Sequence, residues 1–282
     1  MNSSSAPISE NIDTARVLCE VRDAIAWVTL NRPEKHNGLD MKMFYQMTAT
    51  AKRIRKDRSI RAVILQGAGP SFSAGLDFKA VSSNPKDVAR LFLKWPWRKL
   101  NLAQDIAHCW RDLPIPVICA IHGNCFGGGM QIALATDYRI AHPDSLFSIM
   151  EMKWGLIPDM SGMVTLSQLT RIDIAQELTM TGRQFSAQEA FEYGLISRLA
   201  DDPAAAAEEL AKVIVSKSPD AVAATKYLFK KTWQADTNKT LRWERWVQMR
   251  LLGRKNNRIA INNGMTKDET KKRPFKDRTS FR

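Results

Sequence analysis

Three consecutive glycines, Gly127-Gly128-Gly129, constrain this 282-residue chain more than any other feature. A β-branched run at residues 116–122 precedes them, and a segment rich in Ala, Leu and Met follows at residues 130–135. The order strand, glycine loop, helix places bare backbone N–H groups at a helix N-terminus, where an anion or a developing oxyanion binds. Glycine suits this position because a Cβ would block close approach of a ligand.

A second glycine loop follows another apolar strand. Residues 62–67 form a continuous apolar run that ends in glycine, which is typical of a strand buried on both faces, and the loop at residues 71–79 contains Gly75. The recurring order predicts an α/β protein with crossover helices. If the two loops adjoin, one N–H from each converges on a single oxygen and forms an oxyanion hole. Each loop alone is weak evidence, since small residues also form tight turns.

Composition narrows the functional class. The chain is 44% hydrophobic and 25% charged, as in ordinary globular proteins. No apolar run reaches the roughly 18 residues that cross a bilayer, and the N-terminus lacks a secretion signal, so we expect a cytoplasmic protein without a membrane partner. The four cysteines lack metal-ligand spacing, which predicts reduced, buried thiols and no metal site.

The basic charge is the one compositional signal for nucleic acid. The net charge is +13, and residues 266–282 supply +4 of it through seven Lys/Arg against three Asp/Glu. A polar basic tail is typical of disorder, and no nucleic-acid-binding motif accompanies it. The chain therefore divides into a polar leader (1–14), a core (15–205), a helical region without strands (206–265) and a basic, disordered tail (266–282).

Several motifs occur together in one order over roughly residues 16–230. They are Asn31-Arg32-Pro33, Asn37-Gly38-Leu39, Phe72-Ser73-Ala74-Gly75-Leu76-Asp77-Phe78-Lys79, Pro114-Ile115-Pro116-Val117-Ile118, His122-Gly123, the triple glycine, Ala135-Thr136-Asp137-Tyr138-Arg139-Ile140-Ala141, Glu151-Met152-Lys153-Trp154-Gly155-Leu156-Ile157-Pro158 and Thr179-Met180-Thr181-Gly182-Arg183. Together they resemble the crotonase (enoyl-CoA hydratase/isomerase) superfamily.

The resemblance implies a spiral of ββα units with C-terminal helices that trimerise, often into a dimer of trimers. It also implies an acyl-CoA thioester substrate, with coenzyme A as part of that substrate and no separate cofactor. By position, the oxyanion hole falls on the N–H groups of Leu76 and Gly128. Coenzyme A would pass Lys35, His36, Asn37, Ala74, Gly75, Asp77 and Lys79. Lys79 is equally consistent with an ordinary surface lysine.

Glu151 matches the second catalytic glutamate of the family. Polarising a thioester carbonyl acidifies its α-carbon, and a carboxylate must then move the proton. Apolar neighbours such as Phe147 and Ile149 are expected to raise the pKa of Glu151 by desolvation.

Gln131 stands where family hydratases carry their first catalytic glutamate. An amide orients water but accepts no proton from it, which favours double-bond isomerisation over hydration. Asp159 lies eight residues after Glu151, the spacing found in members that act on dienoyl-CoA, and is equally consistent with a turn residue. Two alternatives remain open: a CoA-thioester-binding protein without catalysis, and an RNA-binding homologue.

Overall fold

The computed structural model describes residues 15–280, so the leader at residues 1–14 lies outside the described part. Its main sheet has six strands in the order β1-β2-β3-β4-β6-β9. β1 and β2 are antiparallel around a tight turn, and every later pair in this sheet is parallel. The strands are β1 (Val17–Arg22), β2 (Ile25–Leu30), β3 (Ala62–Gly67), β4 (Val117–Ile121), β6 (Tyr138–Ala141) and β9 (Arg198–Leu199).

A second sheet of three strands lies beside the glycine helix. In it β5 (Asn124–Phe126) pairs parallel with β7 (Leu146–Ser148), which pairs antiparallel with β8 (Phe185–Ser186). The helices of the core are α1 (Met41–Lys56), α2 (Phe78–Ser82), α3 (Pro85–Phe92), α4 (Leu102–Arg111), α5 (Gly128–Leu134), α6 (Gly162–Leu169), α7 (Ile172–Thr181), α8 (Ala187–Glu192) and α9 (Pro203–Val215). The parallel strands and crossover helices confirm the predicted α/β class.

Both faces of the main sheet are covered, which explains why its central strands are apolar without alternation. Alternate residues of β3, such as Val63 and Leu65, face a large core shared with α1 and α4. Ile64 and its neighbours face α9, whose small residues Ala207 and Ala211 allow close packing. Burial on both faces is the usual state of parallel sheets.

α9 corrects the predicted boundary between the core and the helical region. The division at residues 205/206 falls inside α9, and this helix packs on β3, β4 and β6. The helical region therefore starts at α10 (Pro219–Thr232) and continues with α11 (Thr237–Leu251) and α12 (Lys255–Met265). Ala224 and Val247 form its small apolar centre. Within residues 15–280, no helix is long and apolar enough to cross a membrane.

The basic tail is docked on the body over residues 266–280, in place of the predicted disorder. Asp220, at the start of α10, accepts hydrogen bonds from the N–H (2.7 Å) and the hydroxyl (3.0 Å) of Thr279. Arg278 is 5% exposed and donates its backbone N–H to Arg58 O. The basic composition of the tail favours disorder, but backbone hydrogen bonds and the buried carboxylate of Asp220 hold this segment against the body.

Candidate active site

The two glycine loops adjoin in the structure. Ser73 N donates to Asn124 O (3.0 Å), and Phe126 N donates to Ser73 O (2.9 Å), so the loop after β3 runs beside β5. Gly75 has φ +84, and a Cβ at this position would lie 2.7 Å from Phe126 O and 3.2 Å from Gly128 N. Only glycine permits this approach, because any other residue would meet backbone atoms and adopt an unfavourable conformation.

The predicted oxyanion donors lie on these two loops and line one cavity. Within residues 15–280, neither the Leu76 N–H nor the Gly128 N–H donates to a protein acceptor. Gly128 is the first residue of α5, where backbone N–H groups have no partner inside the helix. Two free donors beside one cavity are what a developing oxyanion requires.

Glu151 lies in a short 3₁₀ helix, Met150–Trp154, opposite the start of α5. Burial raises the pKa of its carboxyl group above the ordinary value, and the nearby Asp159 adds to the rise. The carboxylate is half-buried, and its Oε2 atom is enclosed without a hydrogen-bond partner among the described residues. A carboxylate with one unpaired oxygen and a raised pKa suits the uptake and return of a proton.

Gln131 is 1% exposed and is held at both ends of its amide. Met160 N donates to Gln131 Oε1 (2.8 Å), and Gln131 Nε2 donates to Glu151 Oε1 (2.5 Å). The first hydrogen bond determines the orientation of the amide, because an N–H needs an oxygen opposite it. Gln131 therefore presents a donor to Glu151, and this hydrogen bond acts to lower the pKa that burial raises.

Asp159 lines the same cavity as Glu151 and is half-buried. Burial raises the pKa of its carboxyl group. The structure therefore brings Glu151, Gln131 and Asp159 together around one cavity, while their roles in a reaction stay predictions.

The residues predicted to contact coenzyme A divide into two groups. Lys35, His36, Ala74 and Lys79 are exposed, and the two loops that carry them are joined by a hydrogen bond from Ala74 N to His36 O (2.8 Å). This surface is open to a ligand. The predicted residue Gly75 also lines the cavity.

Asn37 and Asp77 belong to the second group, and their side chains are engaged within the protein. Asn37 is 0% exposed and donates to Ala68 O and Ser71 O, both at 2.8 Å. Asp77 accepts from Arg32 at 2.7 Å and caps α2. Burial acts to raise the Asp77 pKa, but these hydrogen bonds outweigh it and lower the pKa overall. The Asn37 amide therefore holds the loop in place, and the contact of this loop with coenzyme A stays a prediction.

The cavity has a volume of about 110 Å³. Its apolar lining is formed by Phe44, Phe78, Leu91, Phe92, Ala103, Met150, Trp154, Leu156 and Met160. Trp154 is 53% exposed and stacks on Phe78 with ring centroids 4.7 Å apart. These residues come from α1, α2, α3 and α4 as well as the Glu151 segment. Helical periodicity indicates that such residues face inward, but it does not indicate which of them meet around one cavity.

A larger cavity, about 710 Å³, lies between the sheet edge and α10. Its acidic group, Asp137, accepts from Val117 N (2.8 Å) and Lys226 Nζ (2.6 Å). Both hydrogen bonds hold the turn after α5 to β4 and α10, so Asp137 has a structural role. Since its carboxylate is engaged, the described residues that line this cavity offer no free carboxylate of the kind that Glu151 provides in the smaller one.

Comparison with known proteins identifies the family of this site. The sequence profile described as enoyl-CoA hydratase/isomerase matches residues 20–278. The chain belongs to this family. It is similar to the carnitinyl-CoA dehydratases of Citrobacter koseri and Salmonella typhi, each 34% identical over 221 residues, 77% of this chain and 81% of theirs.

Solved structures of enoyl-CoA hydratases share the fold. The enzyme from Bacillus anthracis aligns with a TM-score of 0.83 at 28% identity, covering 93% of this chain and 99% of that one. The enzyme from Mycobacterium tuberculosis H37Rv aligns with a TM-score of 0.79 at 28% identity, covering 89% and 95%. The predicted crotonase fold of ββα units is therefore confirmed, and the chain is an acyl-CoA-processing enzyme of the enoyl-CoA hydratase/isomerase family.

Proposed function

We propose that this enzyme shifts a double bond within an enoyl-CoA thioester, with Glu151 as both base and acid. The observation that carries the proposal is the amide of Gln131. Met160 N–H fixes its oxygen, so it presents a donor to Glu151 Oε1 and has no site to accept a proton from water. Hydration by two carboxylates therefore lacks one of its bases, whereas a double-bond shift requires only one carboxylate.

The reaction follows from the positions of the groups. The thioester oxygen would accept hydrogen bonds from Leu76 N–H and Gly128 N–H. Glu151 Oε2, which has no protein partner in the described part of the chain, would take a proton from C2 of a 3-enoyl chain. The negative charge would then spread to the thioester oxygen, and the same carboxyl group would return the proton to C4. Each oxyanion donor would contribute about 3–4 kcal/mol to the stability of the enolate.

The role of Asp159 has two readings within this proposal. As a second carboxylate on the cavity wall, it would deliver or remove a proton at a more distant carbon of a dienoyl chain. As a turn residue after Pro158, it would only tune the charge near Glu151. Comparing 3-enoyl and dienoyl substrates with an Asp159→Asn variant separates the two readings. Loss of dienoyl turnover alone supports the first, and equal activity supports the second.

For substrate binding, we propose that coenzyme A lies along the loops of Lys35–His36 and Ala74–Lys79. The exposed ammonium groups of Lys35 and Lys79 provide cations for its phosphates. Coenzyme A enters as part of the substrate, and the proposed chemistry uses no further cofactor or metal.

The test uses single turnover of 2-enoyl, 3-enoyl and dienoyl CoA thioesters, with products separated from substrate by liquid chromatography and then identified by mass. We expect 3-enoyl-CoA to give a product of unchanged mass, and Glu151→Gln to slow this step by at least about 100-fold. Glu244→Gln, an exposed glutamate on α11, is the matched control.

The results also separate the competing functions. Addition of water to 2-enoyl-CoA at a higher rate than isomerisation of 3-enoyl-CoA would show a hydratase, the activity for which the solved neighbours are named. Thioester binding with no turnover of any substrate would indicate the non-catalytic alternative. Tight RNA binding that disappears with residues 266–282 would indicate the nucleic-acid alternative, which none of the comparisons favours.

We also propose that the enzyme forms a homotrimer, alone or as a dimer of trimers, and works in the cytoplasm. The larger cavity supports an interface, since Phe229 and Trp233 line it while 55% and 64% exposed. Light scattering coupled to gel filtration should give three or six chains, and Trp233→Glu should give single chains. A monomeric wild type would contradict the proposal.

A further inference from the structure

The segment between α3 and α4 exposes more aromatic surface than a water-facing loop requires. Eight consecutive residues, 92–99, are exposed. Among them Leu93 is 71%, Trp95 62% and Trp97 77% exposed. A contiguous apolar patch of this kind marks a surface that contacts another body.

This segment has a defined shape. Arg98 N donates to Trp95 O (2.9 Å), which closes a turn around Pro96, and Trp95 and Trp97 stack with ring centroids 5.2 Å apart. Asn101 Nδ2 donates to Phe92 O (3.3 Å) and ties the two ends of the segment together. Both tryptophan side chains therefore lie on a hydrogen-bonded turn, and their exposure does not come from an unfolded loop.

The charges around the turn select the kind of partner. Between Asp87 and Asp105 the chain carries four cations, Arg90, Lys94, Arg98 and Lys99, and no acid. The same turn of a second copy is a poor occupant, since it would bring the same cations, Lys94, Arg98 and Lys99, together with no acid. Exposed tryptophans flanked by cations match the surface of an anionic bilayer, where indoles settle at the headgroup level and cations meet acidic lipids.

We propose that residues 92–99 dock the enzyme on an anionic lipid surface. The expectation of no membrane partner rested on the absence of a spanning apolar run, and that absence does not bear on a turn that lies on the bilayer surface. Phe92 and Leu91, at the base of the turn, also line the catalytic cavity. Docking would therefore bring the acyl pocket next to a lipid phase, which dissolves acyl chains; this last point alone rests on the proposed function.

The test is flotation of the full-length enzyme with vesicles, read out by protein recovery and tryptophan emission. We expect binding to vesicles of equal parts phosphatidylglycerol and phosphatidylcholine, with a blue-shifted emission, and little binding to phosphatidylcholine alone. The Trp95→Ser/Trp97→Ser variant should lose at least about tenfold in partitioning. Circular dichroism should show that it remains folded, and its turnover of a short, water-soluble thioester should be retained.

Two variants with the same change in charge distinguish binding through this turn from the general attraction of a basic protein to an anionic surface. Lys94→Glu/Arg98→Glu/Lys99→Glu should abolish binding, whereas Lys267→Glu/Lys271→Glu/Lys272→Glu, the same charge change in the tail, should leave most of it. Equal losses in both variants would overturn the proposal. Unchanged vesicle binding with a changed oligomeric state in the tryptophan variant would instead assign the turn to contact between copies. None of these readouts depends on which thioester is the substrate.

Discussion

At the scale of single residues, the orientation of one amide determines the chemistry of the site. The side-chain amide of Gln131 could adopt two orientations. The Met160 N–H is a donor and needs the amide oxygen opposite it, so only one orientation remains. Gly162 contributes space, since a Cβ there would lie 2.7 Å from Gln131 Oε1. As a result Glu151 has one oxygen that is hydrogen-bonded and one that is available.

The pH dependence of activity should report this hydrogen bond. Glu151 accepts a proton only as the carboxylate, so activity falls as the pH drops through its pKa. Gln131→Met removes a hydrogen bond that lowers the pKa, and the acid limb of kcat/KM should therefore move to higher pH. Asp159 is the other carboxyl group facing Glu151, and it remains in the variant. Gln188→Met, at an exposed position on α8, serves as the control; an acid limb that stays in place would contradict this role.

Replacing Glu151 should raise the stability of the folded state, although the same substitution lowers activity. Burial raises its pKa in the folded state, so ionisation penalises the folded form at neutral pH. Glu151→Gln should increase the free energy of unfolding at neutral pH. The increase should disappear below the ordinary pKa of glutamate, where the wild-type side chain is protonated in both states. Urea denaturation at neutral and acidic pH measures the difference, and an increase that is independent of pH would contradict the burial argument.

At the scale of elements, two loops from distant parts of the chain build one site because their strands are neighbours. β3 pairs with β4, so the loops that follow them leave the same edge of the main sheet. Apolar runs ending in glycine identified both loops along the chain. The lining of the cavity was not predictable in this way, since its residues meet only when α1, α3 and α4 pack together.

A comparison of two alanine variants should show how closely the loops must approach. Gly75 and Gly253 have similar positive φ values, +84 and +74, but a Cβ at Gly253 meets no atom within 4 Å. Both substitutions cost backbone strain, and only Gly75→Ala forces the two loops apart. We expect Gly75→Ala to reduce kcat by about 10²–10³-fold, the effect of losing one oxyanion donor, and Gly253→Ala to leave kcat near wild type. Equal effects would assign the loss to strain alone.

At the scale of the whole molecule, the C-terminal segment packs back against both the helical region and the residues beside the main sheet. Asp220, 1% exposed at the start of α10, accepts from Asn256 on α12 (3.0 Å) and from Thr279 in the tail. Arg61, next to β3, donates to Phe275 O (2.9 Å). The tail therefore joins the helical region to the main sheet, although its composition alone is typical of disorder.

Removing the buried carboxylate at this junction should be costly. Asp220→Ala leaves the amide of Asn256 and the N–H of Thr279 without their acceptor, and we expect a loss of about 2–4 kcal/mol in unfolding free energy. Asp236→Ala removes an exposed cap of the neighbouring helix α11 and should cost about 1 kcal/mol. Chemical denaturation of both variants makes the comparison, and equal losses would show that the tail adds little.

The α/β class, the resemblance to the family, the glycine loops and the carboxylates at Glu151 and Asp159 can all be recognised from the amino-acid sequence. These properties are local, since they depend on residue type, periodicity and spacing along the chain. The direction of the Gln131 amide, the internal role of Asn37, the place of α9 in the core and the docking of the tail became visible in the folded structure. Each of these depends on a hydrogen bond or packing contact between residues far apart in the chain, which composition and periodicity do not encode.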